Sequence, residues 1–537
     1  MKWLHGARQA SRKQEAPSLP ETFSQALALK RFGAIQDEVR RLLTAKPAAV
    51  EFEWLRSEVR RLAWPAPEIA KLEAYGHYYR GTLGPAFAQA SPFCGGTEGM
   101  AFDEDLFILA ILCLFNNAQY EDAYRLLAFA ADHEALLANR VDYHNIKSAI
   151  CLACGRLDEA KSSLDHALQV DPGDPLTAFN AYALHFELGD MPTFMQLERD
   201  IAAGRYGDDG NAFILATCEL ARDRYAAGFE ILERRYDQGD AARHVNPALP
   251  AALRWRERGL DLPQDARLLI TCEQGFGDTV MMARYFPQVW ERLGGRLLIE
   301  SQPEALALLR HNFPAIPFLA REHGKRPAAT FDYWIGSMSL PYVCGVEPGR
   351  IPGTAGYLSA PQEHRDYWTR RVNELTKAGQ ARIGLAWSGN PAHRSDRRRS
   401  IPFTQLMPFL ASWADARFFA LQTFVPSPHP ATLVDVAEEL VTLADTAALI
   451  AEMDIIITVD TSIVHLAGAM GRLTWLLLPH RYEWRWGLEG EGNHWYDSVR
   501  VLRQKTHGDW DGLLTEVMGS RLPDFLQGLS TRTRQGS

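Results

Sequence analysis

The chain has 537 residues, 47% of them hydrophobic and 10% aromatic, with a formal net charge of −9. Such a length and composition specify several globular domains and exclude a disordered chain; the negative balance disfavours a general nucleic-acid-binding role, which needs a broad basic surface. No run approaches the ~18 apolar residues of a spanning helix, and MKWLHGARQASRKQEAP lacks the apolar core of a secretory signal. The seven cysteines lack disulfide-framework spacing, and Cys151-Leu-Ala-Cys154, a CxxC without a second pair, reads as two buried thiols in a helix rather than a zinc site. A reduced, cytoplasmic protein without a transmembrane segment is expected.

Residues 1–104 read as a helical amino-terminal region: KRFGAIQDEVRRLLTAK and EWLRSEVRRLAW have helical patterning without a clean register. A repeat follows over 105–245. Tyr120 and Ala123 are matched by Leu157 and Ala160, by Met191 and Phe194, and by Tyr225 and Gly228. The last two steps are 34 residues each and the first is 37, as a short insertion would give. That period, with Gly155 and Gly189 at the corners and Asp171-Pro172 after a helix, resembles tetratricopeptide repeats. Stacked repeats form a concave surface suited to a peptide or protein; the plainer role is to brace the rest of the chain.

From residue 262 the pattern changes to alternating strands and helices. RLLITC is a buried strand, EQGFGD a glycine-containing loop, TVMMARYFPQVWERL an amphipathic helix stopped by Gly294-Gly295, and RLLIE a second strand. This is a βαβ unit with parallel strands and its loop at their carboxyl edge. Further strands are expected at 331–335, 382–387, 418–422, 440–443, 454–459 and 474–478. The polar helix QEHRDYWTRRVNELTKAGQ separates two Rossmann-like domains, 262–370 and 378–537. The fold class is therefore α plus α/β: helical repeats followed by a pair of Rossmann-like domains across a cleft.

Three loops on carboxyl edges collect ligand-capable groups. In Gly275-Phe-Gly277-Asp278-Thr279 the third glycine of a dinucleotide fingerprint is replaced by Val280, yet glycines still let a ligand approach the backbone. Asp278 at the helix start serves as a cap, a catalyst or both. Ser388-Gly389-Asn390 follows the strand RIGLAW and precedes Arg394, Arg397, Arg398 and Arg399, which form either a solvated basic loop or a diphosphate clamp. Gln422 ends FFALQ at the same edge. Asp460, Thr461, Ser462 and His465 end the strand DIIITV and open a helix, where free backbone N–H groups attract phosphate. A histidine alone is usually structural; three converging loops favour a ligand role.

DTSIVHLAGAMGRLTWLLLP resembles the nucleotide-sugar motif of heptosyltransferase-like glycosyltransferases of family 9. GFGDTV resembles their G-D loop, and EWRWGLEGEGNHWYDSVRVLRQ the tail of their repeat-fused relatives. The resemblance spans about residues 105–505 and implies a GT-B fold with a metal-independent glycosyltransferase activity. It implies that Asp278 is the general base and that Arg399, ahead of Ser400-Ile401-Pro402, meets the donor phosphates. Asp460, Thr461, Ser462 and His465 then fall at the donor motif, with Gly275, Gly277, Thr279, Ser388, Gly389, Asn390, Arg394 and Gln422 completing the donor side. Arginine stands where lipopolysaccharide heptosyltransferases have lysine, which weakens the case for ADP-heptose. The repeats point to a protein acceptor; flagellin O-glycosyltransferases are relatives of this type, and their sugar would be a nonulosonic acid on a CMP carrier. No cofactor is implied beyond the nucleotide-sugar substrate. Asp103-Glu-Asp105 and Asp509-Trp-Asp511 resemble D-x-D metal motifs but read as structural. The alternatives are a non-catalytic repeat scaffold on a degenerate glycosyltransferase fold, a heptosyltransferase-like enzyme acting on a glycolipid, and a nicotinamide-dependent enzyme, which the missing glycine disfavours.

Overall fold

A computed structural model describes residues 56–57, 59–79, 82–95, 101–206, 212–236, 246, 248–322, 325–390, 396–411, 413, 415–480 and 483–535. Residues 1–55, with the whole of KRFGAIQDEVRRLLTAK, lie outside them, as does Arg394. The chain divides into two compact units, residues 1–180 and 181–537.

The described part of the first unit is helical: α1 (Ala66–Tyr79), α2 (Leu83–Ala90), α3 (Glu104–Asn116), α4 (Tyr120–Leu126), α5 (Val141–Ala153) and α6 (Leu157–Val170). Helix α3 buries nine of its residues from Leu106 to Phe115 in a core shared with Ala123, Tyr143, Ile146 and Ile150. Asp103 caps α3 by accepting from the Leu106 N–H at 3.1 Å. Asp103 and Asp105 both pair with Lys71, and Asp105 also with Arg140. The first D-x-D is thus held in ion pairs.

The division between units falls inside α7 (Pro175–Glu187), after which come α8 (Met191–Ala202), α9 (Ala212–Ala221) and α10 (Tyr225–Leu232). The sequence period acquires a geometric meaning here. Helices α4, α6, α8 and α10 begin at the four repeat positions, and each is preceded two residues earlier by a left-handed residue: Ala118, Gly155, Gly189 and Asp223, with φ +58, +73, +68 and +61°. Ala123, Ala160 and Phe194 are buried three residues into their helices. At the fourth such position only glycine fits, because a Cβ on Gly228 would lie 2.6 Å from Leu220 Cγ and 3.0 Å from the Leu220 nitrogen of α9.

Two wholly parallel sheets follow. The first has the order β3 (Phe318–Ala320), β2 (Leu297–Ser301), β1 (Leu268–Thr271), β4 (Tyr333–Gly336). The second has the order β10 (Val499–Arg503), β9 (Thr474–Leu478), β8 (Ile455–Val459), β5 (Ala381–Ala386), β6 (Ala416–Ala420), β7 (Leu433–Val434). Runs such as LLIT, LLIES, IIITV and TWLLL are buried along their whole length, as strands covered on both faces must be. In the first sheet the chain turns one way from β1 to β2 and β3 and the other way to β4; in the second it turns from β5 to β6 and β7, then back beyond β5 to β8, β9 and β10. Crevices therefore open at the carboxyl ends of β1 and β4 and of β5 and β8, where ligands bind in doubly wound sheets.

Several expectations need correction. Residues 440–443 form no strand: Thr442 accepts from the Asp445 N–H while Asp445 accepts from Thr442, a capping box that opens helix α14 (Leu443–Ala451). The long amphipathic helix after β1 is broken into α11 (Phe276–Ala283) and α12 (Phe286–Arg292), with Pro287 at the start of the second. Strands β3, β7 and β10 were not anticipated. The polar helix α13 (Gln362–Leu375) is present and buries Trp368 and Val372. Among the described residues no helix is long and apolar enough to cross a membrane.

Candidate functional site

The loop after β1 turns through Gln274, whose φ of +61° makes it, and neither glycine, the left-handed residue. Gly275 caps α11, and its N–H donates to Asp278 Oδ2 at 3.2 Å. Asp278 is the third residue of the helix rather than its N-cap. Thr279 is buried and donates to Gln302 Oε1 at 2.9 Å, which turns it into the first domain's interior.

After β8 the chain enters α15 (Ser462–Ala469). Thr461 is its N-cap, accepting from the Ile463 N–H at 3.3 Å. Helix α15 packs directly against α11. The contact is close because Gly277 has no side chain: a Cβ there would lie 2.7 Å from His465 Cδ2 and 3.4 Å from Ser462 Cα. His465 is buried, its Nδ1 lies 3.1 Å from the Tyr496 hydroxyl, and its ring stacks on Trp486 at 5.3 Å. Burial, with Arg485 and Arg284 nearby, holds this imidazole well below its ordinary pKa, so it is neutral.

Between β5 and β8 the remaining candidates form one tied loop. Gln422 accepts the Trp387 and Ser388 N–H groups at 2.6 and 3.0 Å and donates to Ser388 Oγ at 2.7 Å. The Gly389 N–H donates to Ser400 Oγ at 3.0 Å, and a Cβ on Gly389 would sit 2.4 Å from Arg399 Nη2. Arg399 Nη1 donates to the Asp460 carbonyl at 3.0 Å and its Nε to Asp396 Oδ1 at 3.2 Å. Asn390 is exposed. The structure thus brings together Asp278, the α15 corner, and Ser388, Gly389, Arg399 and Gln422, while Thr279 faces away. Asp509 of the second D-x-D caps a helix by accepting from the Gly512 N–H at 2.8 Å, far from these loops in sequence and bonded locally.

The segment EWRW, matched in the sequence only as the start of a tail and given no site role, fills the centre. Arg485 extends between the two sheet domains: its Nη2 donates to Asp278 Oδ1, its Nη1 to Glu483 Oε1, and its backbone N–H to Glu483 Oε2 at 2.8 Å. Its guanidinium lies 4.3 Å from the centre of the Trp484 ring. Burial, against the pull of Arg485, pushes the Glu483 carboxyl up to about 7. Burial likewise raises Asp460, opposed by Arg485 and Arg399. Behind this layer Arg284 is buried with no carboxylate paired to it among the described residues, donating to the Met281 and Trp495 carbonyls at 2.9 Å each and flanked by the Tyr357, Trp495 and Tyr496 rings. Helix α10 closes the back of the layer, with Tyr225 stacked on Trp495 at 5.8 Å and Phe229 edge-on to Trp484 at 5.8 Å. The alternation Glu-Trp-Arg-Trp was the available signal: ionisable groups between indoles are desolvated once the segment is packed.

Asp278 thus stands at the switch point of one parallel sheet and the start of α15 at that of the other, and the sequence motifs resemble family 9 and repeat-fused glycosyltransferases. No family model matches the chain. Protein FlbA of Caulobacter vibrioides is 28% identical over 343 residues, covering 58% of this chain and 55% of that protein. The chain thus spans about half the length of the curated relative it matches. Similar solved structures include the family 9 glycosyl transferase of Veillonella parvula, at 11% identity, TM-score 0.38, and coverage of 50% of this chain and 100% of that one. The ADP-heptose lipopolysaccharide heptosyltransferase II of E. coli is similar at 14% identity and TM-score 0.34, covering 50% and 99%. The O-GlcNAc transferase of Thermobaculum terrenum is similar at 14% identity and TM-score 0.34, covering 88% and 97%.

Proposed function

We propose that the protein is a glycosyltransferase of GT-B type that moves a sugar from a nucleotide-sugar to an acceptor hydroxyl. The observation that carries this reading is the packing of α11 on α15, which sets Asp278, from the first sheet's switch point, against the Asp460–His465 corner and Arg399 of the second. Asp278 takes the proton of the acceptor hydroxyl as its oxygen attacks the anomeric carbon. The bond from that carbon to the phosphate oxygen breaks, and the nucleotide departs as an anion. Arg399 and the amino-terminal end of the α15 dipole stabilise the charge that develops there, so that fixed positive charge stands where other transferases use a metal. His465, neutral and packed between Tyr496, Trp486 and Gly277, positions the corner.

The acceptor we assign is a protein docked by tetratricopeptide-type repeats, of the flagellin kind, and the donor a CMP-linked nonulosonic acid. The recurring left-handed turn before α4, α6, α8 and α10 supports the repeat assignment. The test is release of free nucleotide from a panel of nucleotide-sugars presented with candidate acceptors. Release with one donor, lost in Asp278→Asn, supports the reading; release that Asp278→Asn leaves unchanged overturns the role given to that carboxylate.

A further inference from the structure

Arg485 lies outside the donor motif, yet the site's charges converge on it. It holds Asp278 from one domain and Glu483 from its own segment, and it faces Asp460 closely enough to counter that carboxyl's burial. Its side chain is 14% exposed and that of Asp278 16%, so a ligand in the cleft can reach both. One donor there has no acceptor among the described residues, Arg485 Nε. A buried donor without an acceptor costs about 1–3 kcal/mol, which an arriving anion would recover.

We propose that Arg485 is a positioning residue shared between Asp278 and the donor phosphate, so that an arriving phosphate draws the guanidinium away and frees Asp278 for the acceptor hydroxyl. This rests on the nucleotide-sugar reading above. The exchange is inexpensive because one charge-assisted fork replaces another, and the cation is never left buried and unpaired. Glu483 acts as the tether: bonded to both the backbone N–H and Nη1 of Arg485, it keeps the guanidinium in the cleft while the other nitrogens change partner. Asp278 is then a competitor of the donor for one cation, although both are needed for transfer. The two ligands are coupled, with donor binding preparing the acceptor side.

The competition gives a reversal of sign that a merely structural ion pair would not. The full chain is titrated calorimetrically with CMP, ADP, UDP, GDP and dTDP, and the nucleotide that binds is carried into variants. Asp278→Asn keeps an oxygen to cap the Gly275 N–H but gives up the charge; it is expected to tighten nucleotide binding by about fivefold, at the low end of coupling between sites. Arg485→Gln is expected to weaken binding, and Asp278→Asn added to it to change nothing further; Arg485→Lys recovers part of the tightening. Nucleotide affinity that is unchanged or weaker in Asp278→Asn overturns the proposal, and this arm decides even where Arg485→Gln does not fold. If none of the five binds the wild type, the glycosyltransferase reading itself fails. Binding without the reversal leaves that reading standing and removes only Arg485 from it.

Discussion

Gly275 and Gly277 are two residues apart in one loop, and their contacts with the rest of the site differ. An alanine Cβ at position 277 would lie 2.7 Å from His465 Cδ2, well inside ordinary contact, and 3.4 Å from Ser462 Cα. The ring cannot turn aside, because Tyr496 holds its Nδ1 and Trp486 covers its face. Helix α11 must therefore move off α15. Overpacking of this kind costs about 1–3 kcal/mol. At position 275 the nearest atom to a Cβ is Asp278 Oδ2 at 3.7 Å, and φ −88° with ψ 177° is extended backbone that alanine adopts freely. Losing glycine's unfolded-state freedom favours alanine by about 0.4–1 kcal/mol, offset by about 0.5–1 kcal/mol because alanine is a poorer N-cap than glycine, so the net effect is near zero. Urea unfolding followed by tryptophan fluorescence separates the two, since Trp484, Trp486 and Trp495 line the affected layer. Gly277→Ala is expected to lower the midpoint and Gly275→Ala to leave it in place. Equal midpoints would refute the claim that Gly277 serves contact between the domains.

Ala118 occupies the left-handed position that Gly155 and Gly189 fill in other repeats; Ala118→Gly removes a strain of about 1–2 kcal/mol, less glycine's extra unfolded-state entropy, and is expected to raise the unfolding midpoint slightly. A lowered midpoint would show that the turn is not strained. Glu273 is buried, receives Arg235 on both oxygens at 2.7 and 3.2 Å, and accepts from the Met338 N–H at 2.9 Å. Glu273→Ala leaves Arg235 with Glu233 at 3.0 Å as its remaining carboxylate and is expected to cost about 1.5–3 kcal/mol in urea unfolding, whereas a loss below about 1 kcal/mol would make the pair dispensable. The Glu483 carboxyl faces Arg485 and Asp460, with Asp278 across the same guanidinium, and is raised from 4.5 to about 7. Between those values the folded state binds a proton that the unfolded state has lost, so stability falls as pH rises through the window. Melting temperatures from pH 5 to 8 should show this decline, reduced in Glu483→Gln; an identical decline in the variant assigns it to other groups.

The alternation of buried strands and helices was legible because parallel strands, covered on both faces, leave unbroken runs such as IIITV and TWLLL. Strand β3 has only three residues and β7 two, too short for any period to register. The repeat was legible from spacing, but its turn was recognisable only where glycine stands; Ala118 and Asp223 adopt the same conformation without announcing it. The candidate residues converge largely as their positions at strand ends imply. Thr279 faces inward because its hydroxyl is captured by Gln302, 23 residues away. Arg485 meets Asp278 across 207 residues, and no local pattern records which chain segment returns to fill a cleft.

In the function proposed above, this cleft binds a nucleotide. The most direct measurement is the melting temperature of the full chain with and without CMP, ADP, UDP, GDP and dTDP, for wild type and Arg399→Ala. At a hundredfold excess over Kd, a ligand confined to the folded state adds about 2.7 kcal/mol of stability, a rise of several degrees. Such a rise is expected with one nucleotide, and its loss in Arg399→Ala. No rise with any of the five, or a rise that Arg399→Ala retains in full, would contradict that proposal.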